Sequence, residues 1–121
     1  MVRLGVFEGE SMPTVYFVKA GDAVKIGYSN NIKRRMMKFQ TGNHFSLQLL
    51  LEIPVPNFKE AHLLERNLHK WFRAYRIRNE WFKYSSLMES VIEEIKSGNF
   101  LTTITALEIA SRFFIGDSYE R

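Results

Sequence analysis

The sequence contains no cysteine among its 121 residues. Disulfide bonds, iron–sulfur clusters and zinc sites built on thiolates are therefore excluded. Long apolar runs are missing too: no segment reaches the roughly 18 apolar residues of a bilayer-spanning helix. The first 13 residues hold no apolar run of signal-peptide length. Together these absences predict a cytoplasmic protein that does not bind a membrane.

Hydrophobic residues make up 45% of the chain and aromatic residues 14%, which is enough for one compact core and excludes disorder. A chain of 121 residues is expected to form one domain, since domains average roughly 100–200 residues. We predict a lead-in over residues 1–13, the core domain over 14–98 and a helical extension over 99–121.

The net charge of +4 is unevenly distributed along the chain. Residues 19–83 hold 13 Lys and Arg against 5 Asp and Glu, a balance of +8, whereas the two ends together carry −4. A basic middle segment is typical of proteins that bind a polyanion such as DNA. A solvated charged surface without a partner is the alternative explanation.

Short segments of β-branched and aromatic residues predict a β-hairpin over Val15–Val18 and Val24–Tyr28. The AGDA sequence between them has turn chemistry, with Gly21 available for positive φ. An amphipathic helix is predicted next, because apolar residues recur at helical spacing between N-cap residues and a glycine stop. These residues are Ile32, Met36 and Phe39, with Ser29–Asn31 before them and Gly42 after.

The apolar run LQLLLEI at Leu47–Ile53 is predicted to be a third strand, buried on both faces. Asn57 caps a longer helix predicted over Phe58–Ile77, and Glu80–Tyr84 is predicted to be a short extended segment or turn. A capping box then opens a helix that ends near Gly98. The box is Ser86 with Glu89, the inward residues are Leu87, Val91 and Ile95, and a last helix is predicted over Thr102–Phe114.

These elements predict an α+β fold with a small three-stranded, mainly antiparallel sheet. The order is β-β-α-β-α-α, with helices flanking the sheet and one more helix at the C-terminus. Leu4, Val6 and Phe7 are candidates for an additional edge strand. The C-terminal helix is a candidate dimer contact through Leu107, Phe113 and Phe114, so we expect a monomer or a homodimer.

Several residues of the hairpin and its helix stand in an order that is known from one family. Tyr16 ends the triplet TVY, Lys25-Ile26-Gly27 follows on the second strand, and Arg35 lies ten residues after Lys25. Glu65 lies on the later helix, within EAHLLERNLHKWF. This order resembles the GIY-YIG endonuclease superfamily, in a compact single-domain branch with KIG in place of YIG.

The resemblance covers roughly residues 14–84 and implies a metal-dependent endonuclease that hydrolyses phosphodiester bonds of DNA. It implies that Glu65 binds the metal ion. Two residues depart from the family pattern: most members have tyrosine where Lys25 stands, and many have histidine or tyrosine at the position of Phe39. The late asparagine of the family has no clean counterpart, although Asn79 lies near its place.

The chemistry of the hairpin residues agrees with that implied function. Tyr16 and Lys25 each lie between apolar neighbours on adjacent strands, so they are expected to share one face of the sheet. A free tyrosine has a pKa of about 10, and a neighbouring ammonium favours the phenolate. We assign Tyr16 as general base toward water, with Lys25 lowering its pKa or contacting phosphate. The alternative is a half-buried strand tyrosine beside a solvated lysine.

Phosphate binding is assigned to the basic residues that surround this pair. Arg35 offers a forked guanidinium for phosphate oxygens in the transition state. Nucleic-acid contacts are predicted for Arg34 and Lys38 on the same helix, for Arg73 and Arg76 further along, and for Tyr28 by stacking. Trp81 is the alternative stacking residue, while Trp71 and Phe82 are assigned to the core.

The predicted metal ligand is the carboxylate of Glu65. A single carboxylate with several waters suits Mg²⁺ (or Mn²⁺), and His69 is assigned to orient the site or contact phosphate. His62, Glu65 and His69 share one helix side, so a transition-metal site is a further alternative. Their order differs from the H-E-x-x-H of zinc proteases, and His62 is assigned to the surface.

Two other functional classes remain open on the sequence. A non-catalytic nucleic-acid-binding module would keep the basic face without turnover, and Lys25 and Phe39 are the residues that favour it. A protein-interaction domain would make the charge bias incidental.

Overall fold

The structure is a computed structural model that describes residues 12–118, with side chains described over 12–112. The candidate edge strand at Leu4–Phe7 lies outside the described residues. The elements, in chain order, are β1 (Thr14–Ala20), β2 (Ala23–Ser29), α1 (Ile32–Thr41), β3 (Leu47–Pro54), α2 (Phe58–Trp71), β4 (Arg76–Arg78), β5 (Trp81–Lys83), α3 (Ser86–Lys96) and α4 (Phe100–Ser118).

The sheet has five antiparallel strands in the order β3-β1-β2-β5-β4, so the prediction of three strands is wrong. The predicted hairpin of β1 and β2 is confirmed, with Gly21 at φ 65° in its turn. The two unpredicted strands, β4 and β5, form a second hairpin that pairs with β2. Each has only three residues, which is too short for a detectable period-2 pattern.

The second helix is shorter than predicted, because α2 ends at Trp71 instead of Ile77. A 3-10 turn at Arg73–Tyr75 and the exposed strand β4 follow it. Phe72 lies on the apolar stripe of α2 and is fully buried. The apolar residues of α2 therefore keep their helical spacing beyond Trp71, where the helix ends, so this spacing does not show the end of the helix. The predicted cap at Asn57 is confirmed, since its side chain accepts a hydrogen bond from the Glu60 amide.

Strand β3 was predicted to be buried on both faces, and this is wrong. It pairs only with β1 and lies at the edge of the sheet. Its side chains alternate: Leu51 and Ile53 are buried, whereas Gln48 and Glu52 are exposed. Such alternation is expected of an antiparallel strand with one face toward solvent.

The core lies on one face of the sheet. Helix α2 packs on β1 and β2, and α3 packs on β3 and α4. The side chains that meet there include Val15, Phe17, Ile26, Leu68, Phe72 and Phe82, with Met88, Val91 and Leu107 from the last two helices.

The cap of α3 and part of its inward face differ from the prediction, whereas Val91 is buried and Ile95 packs against the core as predicted. Ser85 caps the helix in place of Ser86, through a 3.1 Å hydrogen bond from the Met88 amide. Its buried residues are Met88, Val91 and Ile92, and Leu87 is 40% exposed.

The C-terminal helix is part of the same core. Leu107 is buried within the chain, so it is not available for a dimer contact, and the side chains of Phe113 and Phe114 lie outside the described set. Across residues 12–118, no helix combines the length and the apolar character needed to cross a bilayer.

Candidate active site

The register of the first hairpin brings Tyr16 and Lys25 to one face of the sheet. Tyr16 lies opposite Gly27, and Lys25 lies opposite Val18. Residues that face each other across antiparallel strands project to the same side, so this face is the one opposite to the core.

Helix α1 lies on that face, where it contacts β2 and β3. Asn31 caps the helix, and its side chain accepts a 3.0 Å hydrogen bond from the Arg34 amide. Arg35 and Phe39 are four residues apart and share one side of the helix. The Phe39 ring lies 6.2 Å from the Tyr16 ring, so α1 carries the Arg35 guanidinium to the hairpin.

A charged cleft of about 670 Å³ opens beside this contact. It contains four of the five residues predicted to be catalytic, and the fifth, Tyr16, is buried next to it. The residues that line the charged cleft are Lys25, Arg35, Glu65, His69, Arg76, Asn79, Glu80 and Trp81.

Tyr16 is fully buried, and the Arg35 guanidinium approaches its hydroxyl without forming a hydrogen bond of ordinary geometry. Burial raises the pKa of Tyr16 to about 12, and the positive charge of Arg35 only partly opposes this shift. The negative charges of Glu80 and Glu65 raise the pKa further. Tyr16 is therefore a neutral phenol at physiological pH in the free protein. The cation that favours its phenolate is Arg35, whereas we had expected Lys25.

Gly27 is required by the ring of Tyr16. A Cβ atom at this position would lie 2.6 Å from the Tyr16 hydroxyl oxygen and 2.9 Å from Cζ. Side-chain atoms do not approach that closely, so the Tyr16 ring can keep this position across β2 only if residue 27 is glycine.

Lys25 is held by an ion pair that the sequence did not predict. Its Nζ lies 3.0 Å from Oε1 of Glu80, in the turn between β4 and β5. Glu80 comes close because Trp81 pairs with Lys25 in the sheet. The signal that would have found Glu80 is the pairing of the segment EWF with β2, and this depends on recognising the short hairpin.

Glu65 is 9% exposed and projects from α2 into the charged cleft. Burial raises the pKa of Glu65 and the charge of Glu80 raises it further, while His69, His62 and Lys25 oppose the shift. Among residues 12–112 its carboxylate forms no ion pair. A buried, unpaired carboxylate beside a second negative charge fits a divalent cation that retains most of its water ligands.

The alternative site built from His62, Glu65 and His69 is not assembled. His69 directs Nε2 at the carbonyl oxygen of Ile26, 2.9 Å away, and His62 packs edge-on against Tyr28. Within the described part of the chain, no three His, Asp or Glu side chains come together as metal ligands. The hydrogen bond instead fixes the His69 ring between α2 and β2, at the wall of the charged cleft.

The residues predicted to bind nucleic acid divide into two groups. Arg34 and Lys38 are exposed on α1, and Arg76 is exposed at the charged cleft, where its Nε donates to the Asn79 carbonyl at 2.8 Å. Arg73 and Tyr28 lie apart from the cleft. Arg73 donates to the Lys70 carbonyl and lines a cavity against α4.

Tyr28 packs against Phe58 on the core side of the sheet, which separates it from Tyr16. Trp81, the other candidate for stacking, lines the charged cleft. Phe82 is buried as predicted, and Trp71 is half-buried with its indole N–H donating to Glu108. Of the aromatic residues considered for stacking, Trp81 is therefore the one that lines the charged cleft.

The described residues form an α+β domain with a charged cleft on one face of its sheet, and the family that it matches is nuclease-like or nucleic-acid-associated. The family model of the T5orf172 domain matches residues 13–98, and the chain belongs to this family. The family is associated with GIY-YIG-like, nuclease-type domains. No curated protein and no solved structure matches the chain.

Proposed function

We propose that this domain is a divalent-metal-dependent DNA endonuclease of the GIY-YIG type, from the branch with KIG in place of YIG. The observation that carries the proposal is the charged cleft. Lys25, Arg35, Glu65 and His69 come from three separate elements and line one opening beside the buried Tyr16. Two strands and two helices converge there, which a solvated charged surface does not require.

In this proposal the positive side chains bind the scissile phosphate. Arg35 contacts two phosphate oxygens through its fork and stabilises the charge that develops in the transition state. Lys25 adds a second positive charge from the sheet. Glu65 is the residue that would hold Mg²⁺ or Mn²⁺, which supplies charge neutralisation at the phosphate.

Tyr16 is the proposed general base toward the attacking water. Its pKa of about 12 keeps it protonated in the free protein. Burial is the main cause of this raised pKa, and the negative charges of Glu80 and Glu65 add to it. Base function therefore requires that both effects be overcome in the complex with DNA. His69, fixed to the Ile26 carbonyl, keeps the wall of the charged cleft in place.

The test is cleavage of supercoiled plasmid by the purified protein with Mg²⁺ or Mn²⁺. We expect nicking that EDTA abolishes and that E65A and R35A reduce by about 100-fold or more, the effect of removing one charge-stabilising group. Glu94 on α3 lies outside the charged cleft, so E94A is the matched control and should cut normally. Absence of nicking by the wild type, or equal nicking by E65A, contradicts the proposal.

A non-catalytic nucleic-acid-binding module is the second candidate. The burial of Tyr16, which raises its pKa, is the observation that favours it. It predicts DNA binding that weakens with salt and is indifferent to metal. A protein-interaction domain, the third candidate, predicts no binding to duplex or branched DNA even at low salt.

A further inference from the structure

Three side chains surround the ammonium group of Lys25. Nζ lies 3.0 Å from a carboxylate oxygen of Glu80, 5.1 Å from the centre of the Phe39 ring and 5.6 Å from that of Trp81. The Lys25 side chain is only 17% exposed. We call Glu80, Phe39 and Trp81 the Lys25 clamp. An ammonium between two aromatic faces and a carboxylate is fixed in space, whereas a surface lysine samples many rotamers.

Backbone pairing places two residues of the Lys25 clamp, Glu80 and Trp81, next to Lys25. Trp81 pairs with Lys25 across β2 and β5, and the Ile26 amide donates a 3.0 Å hydrogen bond to the Glu80 carbonyl. The turn before Glu80 is set by Asn79, which has φ 53° and accepts a hydrogen bond from Arg76. Asparagine tolerates this left-handed conformation better than most residues.

Phe39 reaches the clamp from α1, on the other side of Lys25. It is one of the two residues that depart from the GIY-YIG pattern, and Lys25 is the other. The two departures are therefore in contact with each other, as a cation and the aromatic ring over which it lies.

We propose that Glu80, Phe39 and Trp81 are positioning residues that hold the Lys25 ammonium ready for the scissile phosphate. The inference rests on the proposed nuclease function. A flexible lysine would have to lose its rotamer freedom each time the transition state forms. In the clamp that ordering is already present in the free protein, so the clamp acts on the rate of the chemical step.

The test is a set of double-mutant cycles on plasmid cleavage, with kcat and KM measured separately. E80Q keeps the shape of the side chain and removes its charge, so we expect kcat to fall about tenfold. KM should not rise, because a negative charge is removed from a DNA-binding surface. F39L should lower kcat about two- to fivefold, the range of an exposed to partly buried cation–π contact. F39Y retains an aromatic face, so it should avoid most of the loss in kcat that F39L shows.

The decisive comparison is made in the K25A background. If Glu80 and Phe39 act through Lys25, then E80Q and F39L add no further loss once the ammonium is gone. Losses that multiply with that of K25A overturn the inference, because Glu80 would then act directly on the metal ion or on water. E94Q and F45L are matched controls outside the charged cleft and should leave kcat unchanged.

A second readout does not depend on cleavage. In NMR spectra of isotopically labelled protein, the Hε protons of Lys25 should resonate upfield of those of the other lysines, because the adjacent Nζ lies over two rings. F39L should shift them back. A Lys25 signal at the position of the exposed lysines overturns the inference even if plasmid is cut. A wild type that cuts no plasmid overturns the proposed function instead.

Discussion

Tyr16 leaves no room for a side chain at position 27, and a substitution of Gly27 tests this contact in the hairpin. In G27A the new methyl group would lie 2.6 Å from the tyrosine hydroxyl, so the ring must move within a fully buried position. We expect a loss of about 1–3 kcal/mol in the free energy of unfolding, the usual cost of overpacking. Urea unfolding of wild type and G27A measures it.

Gly42 provides the matched control, because a Cβ atom there meets nothing within 4 Å and its φ is −99°. G42A should change the stability little. Adding Y16F to G27A removes the hydroxyl at 2.6 Å and should recover part of the loss. A G27A protein as stable as G42A would mean that the tyrosine ring does not lie across β2.

The protonation of Tyr16 is a second test at the residue scale. Because the folded state raises its pKa from 10.0 to about 12, the folded protein retains a proton that the unfolded chain has already lost. Tyr16 therefore makes stability fall as pH rises between about 10 and 12, and Y16F should lack this part of the decline.

The measurement is an alkaline titration of phenolate absorbance for wild type and Y16F, with circular dichroism to follow folding. The difference curve should have its midpoint near pH 12 while the protein stays folded. A midpoint near 10 would show a solvated phenol. The same result would remove the electrostatic obstacle to Tyr16 as a base.

Most residues of the charged cleft could be predicted because their identity and spacing form an ordered pattern in the chain. Tyr16, Lys25 and Arg35 follow one another within a hairpin and a helix whose periodicities are clear. Glu80 was missed for a physical reason. Its proximity to Lys25 depends on pairing between strands far apart in sequence, and no local propensity encodes that pairing.

At the scale of elements, the helices and strands that carry a local sequence signal were predicted, and those that depend on contacts far apart in sequence were not. Strands β1, β2 and β3 and helices α1 and α3 are long enough to carry a local signal, as a period or as an apolar run, and each was found close to its place. The end of α2 was missed because Phe72 keeps the helical stripe after the helix has stopped. The strand β4 that follows consists of exposed residues only, and its partner β5 has three residues.

Helix α1 has an unusual position among these elements. It has no buried residue, yet it carries Arg35 and Phe39 to the charged cleft. Its place depends on the Asn31 cap and on Gln40, whose side chain bonds to the Asn43 and Phe45 carbonyls after the helix. Its contact with Lys25 therefore serves two purposes, since the ring that holds the ammonium also keeps α1 against the sheet.

At the scale of the whole molecule, the C-terminal helix belongs to the same body as the family domain. Glu108 accepts a 2.8 Å hydrogen bond from the Trp71 indole and lies 3.2 Å from the Lys70 ammonium. The Trp71 hydrogen bond is the main reason that the pKa of Glu108 is lowered. Leu107, next to it, is in the core. Helix α4 packs against α2 and α3, and none of its residues lines the charged cleft within the described part of the chain.

The basic side chains around the charged cleft predict a strong salt dependence of DNA binding. Each phosphate contact made by a Lys or Arg adds about 0.9 to the slope of log K against log salt concentration. Arg34, Lys38 and Arg76 are exposed on α1 and at the cleft. We expect each of R34Q, K38Q and R76Q to weaken binding and to reduce the slope by about 1, so the triple variant should lose about 3.

The measurement is fluorescence anisotropy with a labelled DNA duplex in EDTA, which prevents cleavage during the titration. Lys96 is exposed at the end of α3, away from the charged cleft, and K96Q should leave the slope unchanged. If K96Q and the triple variant reduce the slope per charge equally, DNA responds only to net charge and the cleft is not its binding site. If the wild type binds neither duplex nor branched DNA at low salt, the result contradicts both nucleic-acid functions and agrees with the protein-interaction domain.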